Sequence, residues 1–547
     1  MDLSPAASLR SRVTVALGRA ARRVSRLRGG GSGGTALPGL VVEKLDPGFL
    51  ARTLGQLPMG VVVVSGTNGK TTTTKMVVQL LREQGLRVLT NRSGSNFVRG
   101  VLASLLTEVD AGGRLNHDVA VLELDEAHAV RFVRLIRPRH ALLLNVMRDQ
   151  LDRFGEIDYT ASLLHKVALA TTGSVVVNAD DPRLGSEAFT GDLAVRVASF
   201  GAGPALRSLF VSDDDLRTGA AQAEEARREA RREAPQAGAD RAEDPEAEQT
   251  AQSGQAGQAG QSESGRSTTS AAAPAAPETS TPPAPRVSLQ SLSGQDAVVR
   301  VDGADHDIAF AIPGIHNQLH ACAALAVALE TLGDRADLAG LLTTLARVQA
   351  AFGRGEILTL DGRDVQLSLV KNPAGFRMGL LTAEQAVAAR GAETVMIAIN
   401  DEYADGRDMS WLWDVDFTCL RGEGVAVVTG VRAWDMALRL RYDEVPIGVV
   451  EPDLGKALAL LRRAPDVVTG AGADKSAGAN AGAGEEAAAA DGADKDAGAS
   501  AGADKDATAE TGTAPSNRPM RVFTTYTAML ALRARLGELT EVEEVMK

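Results

Sequence analysis

The sequence predicts an α/β protein with two parallel sheets, and two observations support this class. Apolar, β-branched runs alternate with helical stretches along most of the chain. One run leads into a glycine-rich turn that ends in lysine and threonine, which is typical of a phosphate-binding loop before a helix. Two long segments hold too few large apolar residues to form a core. At 547 residues, two or three domains are expected.

The first block of the chain, roughly 36–212, carries five strand-like runs. None of them alternates with polar residues, as expected for parallel strands that are covered on both faces. The runs are VVVVS at 61–65, VLTN at 88–91, VAVLEL at 119–124, ALLLNV at 141–146 and SVVVNA at 174–179. This block therefore predicts a parallel sheet between layers of helices.

The second and third blocks continue the pattern. The second, roughly 286–350, predicts short strands and then the helix HACAALAVALETLG, which Gly333 closes. The third begins at about 351 and predicts a second parallel sheet from VQLSLV, VMIAIN, VAVVTG and RVFTTY. The expected domains are a basic segment at 1–35, a central domain at 36–350 and a C-terminal domain at 351–547.

Two segments are predicted to be disordered insertions, at about 213–285 and 467–519. The first contains AEEARREARREA and GQAGQAGQ, and the second repeats GADKDA at 492–497 and 502–507. Neither segment buries enough apolar surface to offset the entropy lost when a chain becomes ordered.

Composition and charge narrow the class of protein. The net charge of −12 argues against broad electrostatic binding to nucleic acid or anionic lipid. Cys322 and Cys419 show no metal-ligand spacing and fit a reducing compartment. No apolar run is long enough to span a bilayer. The basic stretch from Leu9 to Arg28 is interpreted as a helix packed on the first domain, although such a helix could also touch a membrane surface.

The strongest functional signal is VVVVSGTNGKTTTTKMVVQLL, which begins at Val61. Glycines allow backbone N–H groups to face a phosphate at the start of a helix, so the loop is predicted to bind nucleotide. Lys70 could reach the β- and γ-phosphates, and the Thr71 hydroxyl is placed to ligate Mg²⁺. Val64 stands where the general pattern has its first glycine. The predicted nucleotide-binding residues here are Gly66, Thr67, Asn68, Gly69, Lys70, Thr71 and Thr72.

This variant of the loop, GTNGKTTT, resembles the Mur ligase superfamily, which joins a carboxylate to an amine through an acyl-phosphate made from ATP. The resemblance implies a Mur ligase-like P-loop central domain and a smaller Rossmann-like C-terminal domain. It implies ATP and Mg²⁺ as cofactors, with Glu123 in VLELDEA as a metal ligand beside Thr71. NADDP at 178–182 and PGIHNQLHACAA at 313–324, with Asn317, look like nucleotide-contacting segments, and Arg354 in FGRGE should reach the γ-phosphate.

The sequence differs from the usual Mur ligase pattern at three places, and these differences weaken the case for a ligase that adds an amino acid. Gln150, in NVMRDQLDRFGEID at 145–158, stands where a metal-binding histidine is usual in the family. His320 replaces an expected asparagine. His165 and Lys166 lie slightly off the spacing expected of the carbamylated lysine that many such ligases use.

The third block resembles a different branch, the MurT-type subunits of lipid II isoglutaminyl synthase. The matching motifs are KNPAGF at 371–376, NDEYADGRDMSWLWDVDF at 400–417, ALRLRY at 437–442 and TTYTAML at 524–530. The resemblance implies amidation of the α-carboxylate of D-isoglutamate in the lipid II stem peptide. Ammonia would come from a GatD-type glutamine amidotransferase in a heterodimer. Many members carry a four-cysteine zinc ribbon, but 213–285 holds no cysteine, so no structural zinc is expected.

Asp405, Asp408 and Asp414 are the candidate catalytic residues. They would either form the polar site that accepts a proton from ammonium or complete the partner's glutaminase site. The structural alternatives are a turn at Asp405-Gly406 and a helix N-cap at Asp408 before SWLWD. Trp411 and Trp413 are interpreted as packing or interface residues.

Two rival functions remain open from the sequence. One is a Mur or folylpolyglutamate-type ligase that adds an amino acid. The other is a nucleotide-dependent scaffold of cell-wall assembly without catalysis, which the intact set of Lys70, Thr71, Glu123 and Arg354 disfavours. The expected location is the cytoplasm, at the inner face of the plasma membrane.

Overall fold

The computed structural model describes residues 5–28, 36–91, 97–147, 156–210, 284–349, 354–464 and 518–540. Within these residues the predicted α/β class is confirmed, since two sheets are packed against helices. The predicted insertions at 213–285 and 467–519 lie almost entirely outside the described residues.

The first sheet has nine strands, in the order β2-β3-β1-β4-β5-β6-β7-β8-β9. Neighbours from β2 to β7 are parallel, and β7 to β9 form an antiparallel end. The strands are β1 (Val61–Ser65), β2 (Val88–Thr90), β3 (Val119–Glu123), β4 (His140–Leu143), β5 (Ser174–Asn178), β6 (Arg196–Ala202), β7 (Val287–Ser293), β8 (Asp296–Val301) and β9 (Ala304–Ala309). All five strand-like runs of the first block are thus parallel strands, and the short strands of the second block extend the same sheet.

Ten helices of the described chain accompany this sheet. They are α1 (Pro5–Arg28), α2 (Ala36–Leu45), α3 (Phe49–Leu54), α4 (Lys70–Glu83), α5 (Val98–Glu108), α6 (Glu126–Val133), α7 (Glu156–Ala170), α8 (Glu187–Thr190), α9 (Ile315–Leu332) and α10 (Leu338–Arg347). Gly333 ends α9 as predicted, but the helix begins five residues before His320.

The core lies on both faces of the first sheet because side chains alternate along each strand. Val62 and Val64 of β1 belong to the cluster that contains α4 and α9. Val61 and Val63 belong to the opposite cluster, with α5 and α7. The alanines of α9 are fully buried, and this small side chain lets the helix approach the strands closely. Burial on both faces explains why β1 shows no polar alternation.

The N-terminal helix α1 packs on the first domain, as interpreted from its sequence. Val15 is buried, and the Arg19 guanidinium donates hydrogen bonds to the backbone oxygens of Leu106 and Val109. In the described chain, no helix is both long and apolar enough to cross a bilayer.

The second sheet has six strands, in the order β10-β11-β15-β12-β13-β14. The strands are β10 (Arg354–Leu360), β11 (Arg363–Leu369), β12 (Thr394–Ala398), β13 (Val425–Thr429), β14 (Ile447–Glu451) and β15 (Met520–Thr524). Only the β10–β11 pair of these strands is antiparallel. The helices that accompany the second sheet are α11 (Pro373–Arg390), α12 (Ala433–Tyr442), α13 (Leu454–Arg462) and α14 (Tyr526–Gly537). The predicted boundary at 350/351 lies outside the described residues and stays a proposal.

The last strand of the described residues, β15, lies in the middle of this sheet, between β11 and β12. Arg521 of β15 is fully buried, and its guanidinium is paired with Glu393, which directly precedes β12. The Arg521 Nη2 donates to Glu393 Oε1 over 3.0 Å. This buried ion pair connects β15 to the residue that directly precedes β12, at the centre of the second sheet.

Candidate active site

A cleft lies at the carboxyl ends of β1, β3, β4 and β5, which is where ligands bind in open parallel sheets. The N-termini of three helices line it: α4, α9 and α11. Lining residues include Thr67, Asn68, Gly69, Lys70, Thr71, Thr72, Glu123, Asn145, Asn178, Asp180, Asp181, Asn317, His320 and Lys371. Helix N-termini carry unpaired N–H groups and partial positive charge, so the cleft suits an anion.

The loop between β1 and α4 has a shape that requires glycine at two positions. Gly66 has φ 128°, and a Cβ there would lie 3.0 Å from the Asn145 backbone nitrogen and oxygen. Gly69 has φ 84°, and its Cβ would lie 2.1 Å from His320 Cε1. The Asn145 side chain holds the loop, because Asn68 N donates to its Oδ1 over 2.8 Å and its Nδ2 donates to Asn68 O over 3.1 Å.

Lys70 lies inside the cleft with only 8 % of its surface exposed. Its Nζ donates to Gly66 O over 2.7 Å and lies 3.1 Å from Asp125 Oδ1 and 3.5 Å from Glu126 Oε1. The ammonium group is thus kept at the loop by carboxylates from the end of β3, a position from which it can turn to a phosphate oxygen.

Thr71 and Glu123, the metal pair expected from the sequence, lie in contact, and their role as metal ligands stays a prediction. Thr71 Oγ1 donates to Glu123 Oε1 over 2.7 Å, and Glu123 is nearly buried. Asn91 fixes the Glu123 backbone with two hydrogen bonds, one of 2.8 Å and one of 2.9 Å. In the described residues no group of three or more His, Cys, Asp or Glu side chains could hold a metal. One hydroxyl and one carboxylate fit Mg²⁺, which takes its other ligands from phosphate and water.

The segment after β5 closes the side of the cleft. Asp181 accepts hydrogen bonds from the backbone nitrogens of Val146, Arg183 and Leu184. Burial nevertheless raises the pKa of Asp181 above its usual value. Burial also raises the pKa of Asp180, whose carboxylate accepts from Ala202 N. These contacts give the NADDP segment a fixed shape beside the loop.

The second sheet and its helices, called the second domain below, supply Lys371 and Asn372 to the cleft. The sequence analysis named these two residues only within the motif KNPAGF and gave neither of them a role in the site. Asn372 is fully buried, its Nδ2 donates to Asn68 Oδ1 over 3.2 Å, and its Oδ1 accepts from Gly375 N over 2.8 Å. Lys371 Nζ lies 3.5 Å from Thr67 O. The available signal was asparagine directly before a proline, which is typical of a helix N-terminus and hence of an anion site.

Of two predicted nucleotide-binding residues, the structure describes the side chain of Asn317 but not that of Arg354. Asn317 lies at the start of α9, lines the cleft and donates from Nδ2 to Pro313 O over 2.7 Å. Arg354 is the first residue of β10, next to Gly355 of the cleft, but its side chain is outside what the structure describes. Gln150 also lies outside the described residues. The assigned roles of Asn317 and Arg354 stay predictions.

The three candidate catalytic aspartates are described, and none of them is among the residues lining the cleft. Asp405 is 1 % exposed and accepts hydrogen bonds from Glu402 N, Thr527 N and Thr527 Oγ1. These contacts favour the structural alternative for Asp405, because they anchor the loop to the start of α14. The catalytic role of all three aspartates stays a prediction.

The helix expected through SWLWD is a short 3₁₀ helix, Ser410–Asp414, and its N-cap is Met409 rather than Asp408. Asp408 instead accepts from Ser410 N over 2.8 Å, which holds the pKa of its carboxyl below the usual value. Asp414 is exposed. Trp411 is buried in the core of the second domain and Trp413 is half exposed, so Trp411 is a packing residue.

Comparisons with known proteins agree with this architecture. Residues 64–224 match the sequence model of the Mur ligase middle domain, and residues 369–467 match that of the MurT ligase C-terminal domain. The lipid II isoglutaminyl synthase (glutamine-hydrolyzing) subunit MurT of Staphylococcus aureus strain COL is 27% identical over 456 residues, which is 82% of this chain and 92% of the relative. Its counterpart from Streptococcus pneumoniae is 28% identical over 416 residues, 76% of this chain and 83% of the relative.

Solved structures share the fold at lower sequence identity. MurF from Acinetobacter baumannii superposes with a TM-score of 0.55 at 16% identity, covering 92% of this chain and 81% of its own. MurF ligase from Thermotoga maritima, solved in complex with ADP, gives 0.54 at 13% identity, covering 90% and 83%.

The fold, with its loop and cleft, is that of a Mur ligase, and the protein is a ligase enzyme. More narrowly, the chain joins a Mur ligase middle domain to a MurT ligase C-terminal domain.

Proposed function

We propose that this chain amidates the α-carboxylate of D-isoglutamate in the stem peptide of lipid II, using ATP and ammonia. One observation carries the proposal. The phosphate loop with Lys70 and the Thr71–Glu123 pair meets the start of α11, the first helix of the MurT-type domain, in one cleft. The relatives named as lipid II isoglutaminyl synthase subunits support the substrate and the reaction.

The reaction needs two displacements. An oxygen of the substrate carboxylate attacks the γ-phosphorus of ATP, the bond to the β–γ bridging oxygen breaks, and ADP leaves with that electron pair. Ammonia nitrogen then attacks the acyl carbon, the bond from carbon to the phosphate oxygen breaks, and inorganic phosphate leaves as the nitrogen loses a proton. Mg²⁺ held by Thr71 and Glu123 would supply neutralising charge for the phosphates.

The residues of this chain mainly position groups and neutralise charge. Lys70 lines the cleft at the loop, where it would reach a γ-phosphoryl group, and the loop N–H groups would face the phosphates. The cleft would have to keep water away from the acyl-phosphate, which would otherwise hydrolyse. Ammonia is already a good nucleophile when unprotonated, so little further activation of it is required.

A separate glutaminase is proposed to provide the ammonia. Within the described chain, Cys322 is buried inside α9, where burial raises the pKa of its thiol to about 12. Cys419 lies in a 3₁₀ turn, Thr418–Leu420, rather than at a strand–turn–helix junction. Neither thiol is placed as a nucleophile. Asp405, Asp408 and Asp414 remain candidates for completing the site of that partner.

The test uses the purified chain with ATP, Mg²⁺, lipid II and ammonium chloride at alkaline pH, where more of the ammonia is unprotonated. We expect mass spectrometry to show replacement of one carboxyl hydroxyl by an amino group, dependent on ATP. A mass gain that matches an added amino acid would instead support the amino-acid-adding ligase. Absence of turnover, even with a co-expressed glutaminase, would refute the proposal in favour of the scaffold.

Replacing Gly69 with alanine is expected to weaken nucleotide binding by about tenfold, because a left-handed backbone costs about 1–2 kcal/mol for a residue with a Cβ. The new Cβ would also overlap His320. Titration calorimetry with ADP and Mg²⁺ measures the effect. The double variant Gly69→Ala/His320→Ala should regain part of the affinity, since the overlap is removed and the strain remains. Equal binding by Gly69→Ala and the parent would contradict this account of the loop.

A further inference from the structure

Lys371 reaches the phosphate loop from the second domain, and two rigid elements fix its position. It lies two residues after β11 ends and two before α11 begins. On one side Val370 N donates over 2.9 Å to the backbone oxygen of Thr524, the last residue of the central strand β15. On the other side Asn372 caps α11 and is paired with Asn68 of the loop. The lysine is therefore held at the cleft by the fold.

The ammonium groups of Lys371 and Lys70 approach the same atom. Lys371 Nζ lies 3.5 Å from Thr67 O, and Lys70 Nζ lies 3.4 Å from that oxygen. The two nitrogens can be no further apart than the sum of these distances. A charged hydrogen bond to a phosphate oxygen spans about 2.8 Å, so one phosphoryl group between the lysines can contact both.

The carboxylates in the cleft explain why a second lysine would be useful beside a bound phosphate. Near Lys70 stand the carboxylates of Asp125 and Glu126, and Glu123 lies beside Thr71. Among the described residues that line the cleft, the lysines and arginines are Lys70, Arg183 and Lys371. Arg183 is paired with Asp158 over 2.8 Å. Lys70 and a Mg²⁺ ion at Thr71 and Glu123 would leave part of the negative charge of a triphosphate and of these carboxylates unneutralised, and a second lysine can offset it.

We propose that Lys371 binds the γ-phosphoryl group of ATP, opposite Lys70, and stays bound while that group moves to the substrate carboxylate. This rests on the proposed function, because the transferring group is the one that reaction requires. Lys371 makes hydrogen bonds and forms no covalent bond in the step. The Asn372–Asn68 pair positions it, so phosphoryl transfer depends on contact between the second domain and the loop.

The experiment compares two probes, AMP-PNP and ADP, each with Mg²⁺, by titration calorimetry on the full chain. In Lys371→Met the ratio of the AMP-PNP to the ADP dissociation constant should rise at least about tenfold over the parent, because the lost charged hydrogen bonds belong to the γ-phosphoryl group. Lys371→Arg keeps the charge and should recover part of the difference. Lys456→Met, an exposed lysine of the same domain, is the matched control and should leave the ratio unchanged.

An unchanged ratio in Lys371→Met, with both nucleotides still bound, would overturn the assignment. A ratio raised equally by Lys456→Met would overturn it as well, since the effect would then be one of general charge. Should the methionine variant fail to fold by circular dichroism, Lys371→Gln takes its place with the same expected shift. The measurement uses no lipid II, ammonia or partner. A shifted ratio in a chain that never amidates lipid II would therefore refute the proposed reaction and leave the Lys371 site standing.

Discussion

Lys70→Ala is expected to lower ATP-dependent turnover by about a thousandfold, because one preorganised donor in a dry site contributes about two to three powers of ten to the rate. Lys70 is buried, and its Nζ lies at the loop that is proposed to bind the phosphates. Without it, Asp125 and Glu126 would face the nucleotide with no ammonium group between them and the anion. The loss should therefore exceed that of an ordinary binding contact.

The measurement is initial rate of ADP release with lipid II and ammonium present, at saturating ATP. Lys75→Ala is the matched control, since Lys75 lies on the same helix and does not line the cleft. It should retain nearly full activity. If Lys70→Ala kept more than about a tenth of the parent rate, the site would not carry out phosphoryl transfer in the way proposed here.

Glu393→Gln is expected to destabilise the protein by about 3–5 kcal/mol, because it removes one partner of a buried ion pair. The Arg521 side chain is fully buried on the central strand β15, and Glu393 is almost as buried. The amide would leave the guanidinium charge without a counterion in the core. Most of the expected loss in free energy of unfolding therefore comes from the unpaired buried charge, and less comes from the lost attraction between the two groups.

Urea unfolding, followed by circular dichroism, measures this free energy, with the slope checked for two-state behaviour of the transition. The double variant Glu393→Gln/Arg521→Met should be less destabilised than Glu393→Gln, since no unpaired charge remains. Asp305→Asn breaks the exposed pair with Arg300 and is the control, with no measurable change expected. A Glu393→Gln chain as stable as the parent would show that the pair contributes nothing to the fold.

The elements that could be predicted from sequence are those decided by local chemistry. The five strand runs of the first block, the helix closed by Gly333 and the loop at 66–72 each depend on neighbouring residues. Strand β6 was missed because its first two residues are exposed and its fourth is half buried, so its run lacks a continuous apolar signal. The short strands at 287–309 were expected, but their place as the antiparallel end of the first sheet follows from pairing with β6.

The sequence by itself determined the class of fold and the strand, glycine turn and helix that begin at Val61, because these are local features. The Thr71–Glu123 pair was expected only from the family resemblance, and the pairing of β1 with β3 brings the two side chains together across 52 residues of sequence. Only the tertiary structure decided that Lys371 and Asn372 join the loop from a position 304 residues away. It also decided that Asp405 anchors α14 and that Arg521 sits at the middle of the second sheet. The physical reason is that contacts between distant segments depend on how sheets and helices pack, and periodicity along the chain does not specify which distant surfaces meet.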